Sequence, residues 1–512
     1  LNALDLTIVV VSLAGLVALA GWLARRQATT RDYYLGGGRL PAWALGASLA
    51  ANQVSAISLI GAPAFVALRE GGGLVWLQYE LAVPLAMAAL VVWGVPFLRR
   101  AAGVEVYESV ESRLGRGARR LLAGFFLLGR GLGAGVVLYA SSLVVDACTA
   151  WGFETSLLVV GLVAVVYTAL GGLVADVFSD VLQFALLWGA TFVVTLVLAV
   201  RLGGQGLLSS IDPTRLAALD FSGHGLGDGA TFAFWPMLIG GFFLYVSYYG
   251  CDQTQAQRIL AAADDGRARR ALTIASLLRF PLVLTYCGFG VMLSVFVAAT
   301  PDFARSLADR PPDALVPQFL VTYLPSGVVG VVVAGILAAA LSSIDSALNS
   351  LSAVSVEEFA PSGADPARRL RWARASTVLW GTAATAAAWF FSHTGETTIE
   401  LVNRVGSALY GPVLAVFVLA WRSRRADGRS AVVGAIGGVG ANLVLAAFAP
   451  GLSWLWWNVV GFAVAMVVGV AFGSGTTPVE RRALPGSAPY ARTLVAFFGL
   501  ILGLLALVTA LV

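Results

Sequence analysis

Between Gly335 and Ser352 the chain reads GILAAALSSIDSALNSLS, a stretch apolar enough to lie within a membrane span. Into about three helical turns it sets Ser342, Ser343, Asp345, Ser346, Asn349, Ser350 and Ser352. Hydroxyls and a carboxylate are hard oxygen donors, the type of ligand a hard cation takes. A competing use is that each serine bonds back to a carbonyl of its own helix. Other ionisable groups fall inside apolar runs: Asp180 in VADVFSDVLQ, Glu80 in LQYEL and Arg130 in FLLGRGLGAG. Such groups are costly in a bilayer and therefore point to sites. Arg130 lies about two and a half turns beyond Arg119-Arg120. From there it could clamp a carboxylate, neutralise Asp180 or Glu80, or snorkel to the surface. Arg404 pairs by spacing with Glu400, one turn earlier.

Redox, zinc and acid–base enzyme chemistry find little support. There is no CxxC, no HExxH and no pair of histidines at metal spacing; His224 and His393 stand alone. The expectation is that the protein is not an enzyme.

The elements that must position these residues are membrane helices. Of 512 residues, 58% are hydrophobic and 12% charged, where a soluble chain carries roughly 25% charged residues. Apolar runs suggest about fourteen spans. They lie near 4–24, 41–68, 72–98, 117–149, 153–171, 173–200, 231–250, 268–299, 325–357, 370–392, 398–421, 430–449, 453–473 and 491–511. The runs are continuous rather than alternating, which excludes a membrane β-barrel. Residues 4–24, followed by Arg25-Arg26, read as a first membrane helix rather than a cleaved leader. Arginine provides every basic residue, and most arginines fall in alternate loops, Arg258 among them. That asymmetry predicts both termini on the extracytoplasmic side of a plasma (inner) membrane. The net charge of +5 is spread over these loops, so no nucleic-acid partner is expected. The longest polar connections, 201–230 and 474–491, are too short to fold alone.

Two spans look interrupted. The second carries Ala50-Ala51-Asn52-Gln53-Val54-Ser55 at mid-depth; the seventh carries Gly240-Gly241 and Gly250 around Tyr245, Tyr248 and Tyr249. Small residues also serve close helix packing. Broken helices in matching positions of two halves, however, point to an inverted-repeat transporter with its site near the midplane.

Several stretches resemble the sodium:solute symporter family of sugar, proline, iodide, sialic acid and monocarboxylate carriers. They are DYYLGGGRLPAWALGASLAANQVSA (Asp32–Ala56), TALGGLVADVFSDVLQ (Thr168–Gln183), QRILAAAD (Gln257–Asp264) and above all LSSIDSALNS (Leu341–Ser350). They keep the family's order along the chain. The resemblance implies an all-α polytopic protein of the LeuT-type fold, one transport domain spanning 1–512. Its inverted five-helix repeats would cover about 41–200 and 231–422, with peripheral helices 4–24, 430–449, 453–473 and 491–511.

The resemblance also implies roles by position. A principal Na⁺ site would use backbone oxygens of Ala51, Val54 and Ala339 with the hydroxyls of Ser342 and Ser343. An unwound helix supplies free carbonyls that an intact one does not. Asp180, Asp345 and Ser346 would hold a second Na⁺ or line its exit route, Asp345 being a departure from the hydroxyl found in relatives. Solute contacts would come from Gln53, Glu80, Arg130, Tyr245, Tyr248, Tyr249 and Asn403. Ring faces suit the apolar side of a small polar organic solute, although tyrosines also anchor helices at interfaces. The implied activity is Na⁺-coupled import of such a solute, a sugar, polyol or organic acid, by alternating access, with a monomer in the lipid bilayer sufficient. H⁺ coupling and a solute sensor built on a transporter fold are the alternatives.

Overall fold

The computed structural model describes residues 2–24, 29–53, 56–99, 103–149, 151–203, 210–308, 310, 312–360, 365–393, 398–475 and 486–511; the side chains of 20, 23, 24, 30, 56, 57 and 398–405 are outside that description. The principal helices are α1 (Ala3–Ala24), α2 (Ala42–Gln53), α3 (Ala56–Leu68), α4 (Leu74–Leu98) and α5 (Glu108–Thr149). After them come α6 (Phe153–Arg201), α7 (Gly241–Cys251), α8 (Gln253–Leu260), α9 (Asp265–Ala299) and α10 (Val328–Phe359). The chain ends with α11 (Pro366–Phe391), α12 (Thr398–Arg422), α13 (Gly428–Phe448), α14 (Leu455–Ala471) and α15 (Ala488–Ala510). Among the described residues, 7 helices are long and apolar enough to cross a bilayer, and α2 with α3 forms a further, bent span. Each apolar run expected to cross the membrane is helical over most of its length.

At 49 residues α6 would be about 73 Å long if straight, far more than a hydrocarbon core of about 30 Å. It is not straight. Gly172 has φ 57°, and the Tyr167 hydroxyl donates to the carbonyl of Ala175 across the turn. The sequence pattern places its two spans either side of this glycine. The chain around α10 shows why the polar string is tolerated. The most apolar window of α10 is 89% buried inside the protein, against 17% for α15. Its hydroxyls therefore face other helices rather than lipid. Asp5 of α1 fixes the start of α10, accepting from the Gly327 and Gly330 amides at 2.6 and 2.9 Å. Those amides belong to the group that a helix N-terminus leaves unsatisfied. A Cβ at Gly330 would meet the Asp5 backbone at 2.7 Å, so the contact needs glycine there.

Both expected interruptions exist, and one is displaced. The described stretches Ala42–Gln53 and Ser58–Leu68 are bent by 52° to each other. In the second case the helix continues through Gly240-Gly241 and breaks at Asp252, whose backbone is extended (φ −78°, ψ 125°) between α7 and α8. The glycines instead admit neighbours. A Cβ at Gly240 would lie 2.5 Å from the Leu455 carbonyl oxygen, and one at Gly250 would lie 2.6 Å from a Leu90 methyl. The packing use of small residues wins at those positions.

Candidate functional site

Helix α2 is described to Gln53, so Ala51 and Asn52 lie in its last described turn, next to the bend. α10 passes this end. Its Ala339, Ser342 and Ser343 share one face through i, i+3 and i+4 spacing. The Ser343 hydroxyl approaches the Asn52 carbonyl oxygen at 3.4 Å, and Ser342 donates to Asp180 Oδ1. That donation leaves the Ser342 oxygen's lone pairs free. The two regions thus meet, with Ala51 and Ala339 buried beside them. Val54 lies outside the described residues.

Below this junction sits an ionic cluster that the sequence reading identified only in part. Asp176, Asp180 and Asp345 bring carboxylate oxygens within 4.8 Å of one another, all buried. Arg258 of α8 lies against them with no exposure at all. Its Nη2 donates to Asp180 at 2.9 Å, to Asp176 at 3.0 Å and to Ser346 Oγ at 2.6 Å. Its Nε donates to Ser48, which in turn donates to Asp180. Arg258 is therefore no loop arginine, as the topology reading took it to be, but a strut tying α8 to α2, α6 and α10. The extended residue at 252 turns the chain inward and carries this short helix into the core. Asp345 Oδ2 has no hydrogen-bond partner among the described residues.

Three adjoining chambers share lining residues. The central one, about 220 Å³, is bounded by Gln53, Arg130, Tyr245, Tyr248, Arg279 and Ser343. It shares Trp76 and Trp454 with a second chamber of about 510 Å³ that Arg69 also lines. It shares Arg130 and Tyr410 with a third chamber of about 200 Å³ lined by Ser247 and Asp252. A volume of this order falls below the roughly 300–1,000 Å³ of pockets for drug-sized molecules, so the ligand it suits is small.

Charge in the central chamber is asymmetric. Glu80 takes a two-pronged ion pair from Arg279, Nε to Oε2 at 2.8 Å and Nη2 to Oε1 at 3.0 Å. This excludes Glu80 as the partner of Arg130, just as Arg258 occupies Asp180. Arg130 is left with a long contact to the Asn52 side-chain oxygen at 3.4 Å and the Tyr248 ring at 5.9 Å. Among the described residues no carboxylate lies within ion-pair distance of it, and its Nε is unpartnered. It does not reach the surface by snorkelling; it lines two internal chambers.

Of the expected solute contacts, Gln53, Arg130, Tyr245 and Tyr248 line the central chamber. Tyr249 donates to the Gln53 side chain behind it, and Glu80 stands behind Arg279. Asn403 falls on α12, its side chain outside the described residues. Sequence reasoning missed Asp176, Arg258 and Arg279. Asp176 and Asp180 stand four residues apart on one helical face, a signal that was available. Arg279 gives no local sign of Glu80, 199 residues away.

The family model for the sodium:solute symporter family matches residues 33–438. The sodium/sialic acid symporter NanT of Aliivibrio fischeri is 26% identical over 463 residues, 89% of this chain and 90% of its own. Human sodium-coupled monocarboxylate transporter 1 is 27% identical over 430 residues, 81% of this chain and 68% of its own. A solved substrate-bound, outward-open Na⁺-coupled sialic acid symporter superposes with a TM-score of 0.83 at 22% identity, over 94% of this chain and all of that one. That likeness concerns the fold, which is all-helical and of the LeuT type. The relatives are carriers and not enzymes. The chain belongs to the sodium:solute symporter family, a multi-pass membrane carrier whose coupling ion is Na⁺.

Proposed function

We propose that the protein imports a small organic monoanion, a carboxylate, together with Na⁺ by alternating access across the inner membrane. One observation carries this reading. Arg130 is a guanidinium facing the central chamber without a carboxylate partner among the described residues, whereas Arg279 beside it is neutralised by Glu80. A guanidinium with no carboxylate in ion-pair contact favours a solute with one negative charge, because a guanidinium held away from bulk water without a partner is costly. Planar guanidinium donors match a carboxylate. Tyr245, Tyr248 and Gln53 would meet the solute's neutral parts. The sialic acid and monocarboxylate carriers among the relatives both take acids, in agreement with this reading.

The principal Na⁺ would bridge carbonyls of the α2 end, Ala51 and Val54, to Ala339, Ser342 and Ser343. It would thereby hold the broken span against α10 while the solute pocket forms. Na⁺ must favour that state over the inward one for coupling to occur. Asp180, Asp345 and Ser346 would then accept a second Na⁺ or pass the ion inward. The finer architecture follows the same reading: fourteen spans, repeats over about 41–200 and 231–422, both termini outside, and a monomer competent for transport.

Uptake into proteoliposomes tests the anion reading, using a panel of labelled carboxylates and their neutral amides, with Na⁺ or choline outside. The expected result is Na⁺-dependent uptake of at least one acid and exclusion of its amide. Arg130→Gln should weaken that acid by about tenfold or more, the scale of one charge-assisted hydrogen bond of about 1.5–3 kcal/mol. Equal transport of acid and amide, or an unaffected Arg130→Gln, would remove the reading.

A further inference from the structure

A clamp strong enough to select an anion must also let it go. Releasing a carboxylate from Arg130 leaves a half-buried guanidinium bare, which is costly unless another acceptor takes its place. The third chamber contains one. Asp252 lines it together with Arg130. We propose that Asp252 is the exchange partner of Arg130: its carboxylate replaces the departing solute's on the guanidinium and so drives release inward and resets the empty carrier. This rests on the anion reading above.

Asp252 is suited to the task in three respects. It is 7% exposed, so its charge is poorly screened by water. Its Oδ1 accepts from the Thr254 amide at 2.8 Å, capping α8, and that is the hydrogen bond its side chain makes among the described residues. A carboxylate has about four acceptor sites, so capping leaves capacity for a guanidinium. Finally, Asp252 is the extended residue between α7 and α8, where a change of bend alters its distance to Arg130 of α5. Swapping is thereby coupled to the conformational step instead of competing continuously with the solute. In this structure the two groups share a chamber and Asp252 is the nearest charge to act on Arg130, without an ion-pair contact between them, as a swap still to come requires.

The test separates the swap from simple capping. Asparagine caps a helix as well as aspartate, so Asp252→Asn keeps the α8 cap and removes the charge. In proteoliposomes, Asp252→Asn should lower Na⁺-driven net uptake of the acid about tenfold, because the empty carrier must return. Exchange of labelled for unlabelled acid, which never empties the site, should stay within about twofold. Equilibrium binding of the acid should tighten. Parallel loss of net uptake and exchange, or no change in either, would overturn the proposal. If Asp252→Asn fails to fold, Asp252→Ser, also a capping residue, takes its place with the same readouts. Failure of the anion reading is distinct: the wild-type protein would bind no acid in preference to its amide, and the swap would fall with it.

Discussion

Ser342 and Ser343 are adjacent in sequence but face different neighbours. Ser342 gives its proton to Asp180, while Ser343 faces the Asn52 carbonyl across the helix break at 3.4 Å. Hydroxyl hydrogen bonds prefer about 2.7–2.8 Å, so 3.4 Å is loose for one. Two oxygens that share a cation sit further apart than two that share a proton, and this spacing suits the former. Ser343→Ala should therefore raise the Na⁺ concentration for half-maximal uptake about tenfold, with the melting temperature changed by only a few degrees. An unchanged Na⁺ dependence would detach Ser343 from the ion. The serine string and Arg130 were legible in the sequence because polar groups stand out against apolar runs. Arg258 was not, because QRILAAADDGRARR has the look of a short inner loop. Only the backbone at Asp252 turns that segment into the core.

At the scale of elements, the helices were legible from hydropathy, and the break in the second span from its small polar cluster. The second break was visible in kind but misplaced in position. Glycine has two uses, conformational freedom and close approach, and a sequence does not say which applies. Here Gly172 uses its freedom, with φ 57°, while Gly240 serves close approach. The two uses predict different mutants. At Gly240 a new Cβ would press on the Leu455 backbone, which cannot rotate away. At Gly250 it would press on the end of a Leu90 side chain, which can. Gly240→Ala should cost about 1–3 kcal/mol, the range for overpacking, and Gly250→Ala appreciably less. Thermal unfolding in detergent checks the order; equal losses would mean that α4 is as unyielding there as the backbone.

At the scale of the whole molecule, charge balance decides what crosses the membrane per cycle. Asp176, Asp180 and Asp345 face one guanidinium, Arg258, so with all three ionised the fully buried site carries negative charge in excess. Such an excess is costly at membrane depth unless a cation joins it. If a second Na⁺ does, a monoanion travels with two positive charges and each cycle carries one net charge inward. The membrane potential then contributes about 2.3 kcal/mol per 100 mV to accumulation, a factor of about 50. With a single Na⁺ the cycle is neutral and the potential contributes nothing. The expected result is that an inside-negative diffusion potential stimulates uptake of the acid. Asp345→Asn should abolish that stimulation while leaving Na⁺ dependence through Ser343 in place. Flux measurements with and without an imposed potential, together with Na⁺-to-solute counting, check both statements. Uptake that ignores the potential in the wild-type protein would reduce Asp180, Asp345 and Ser346 to an exit path, with Arg258 standing as a fixed cation where a second Na⁺ was expected.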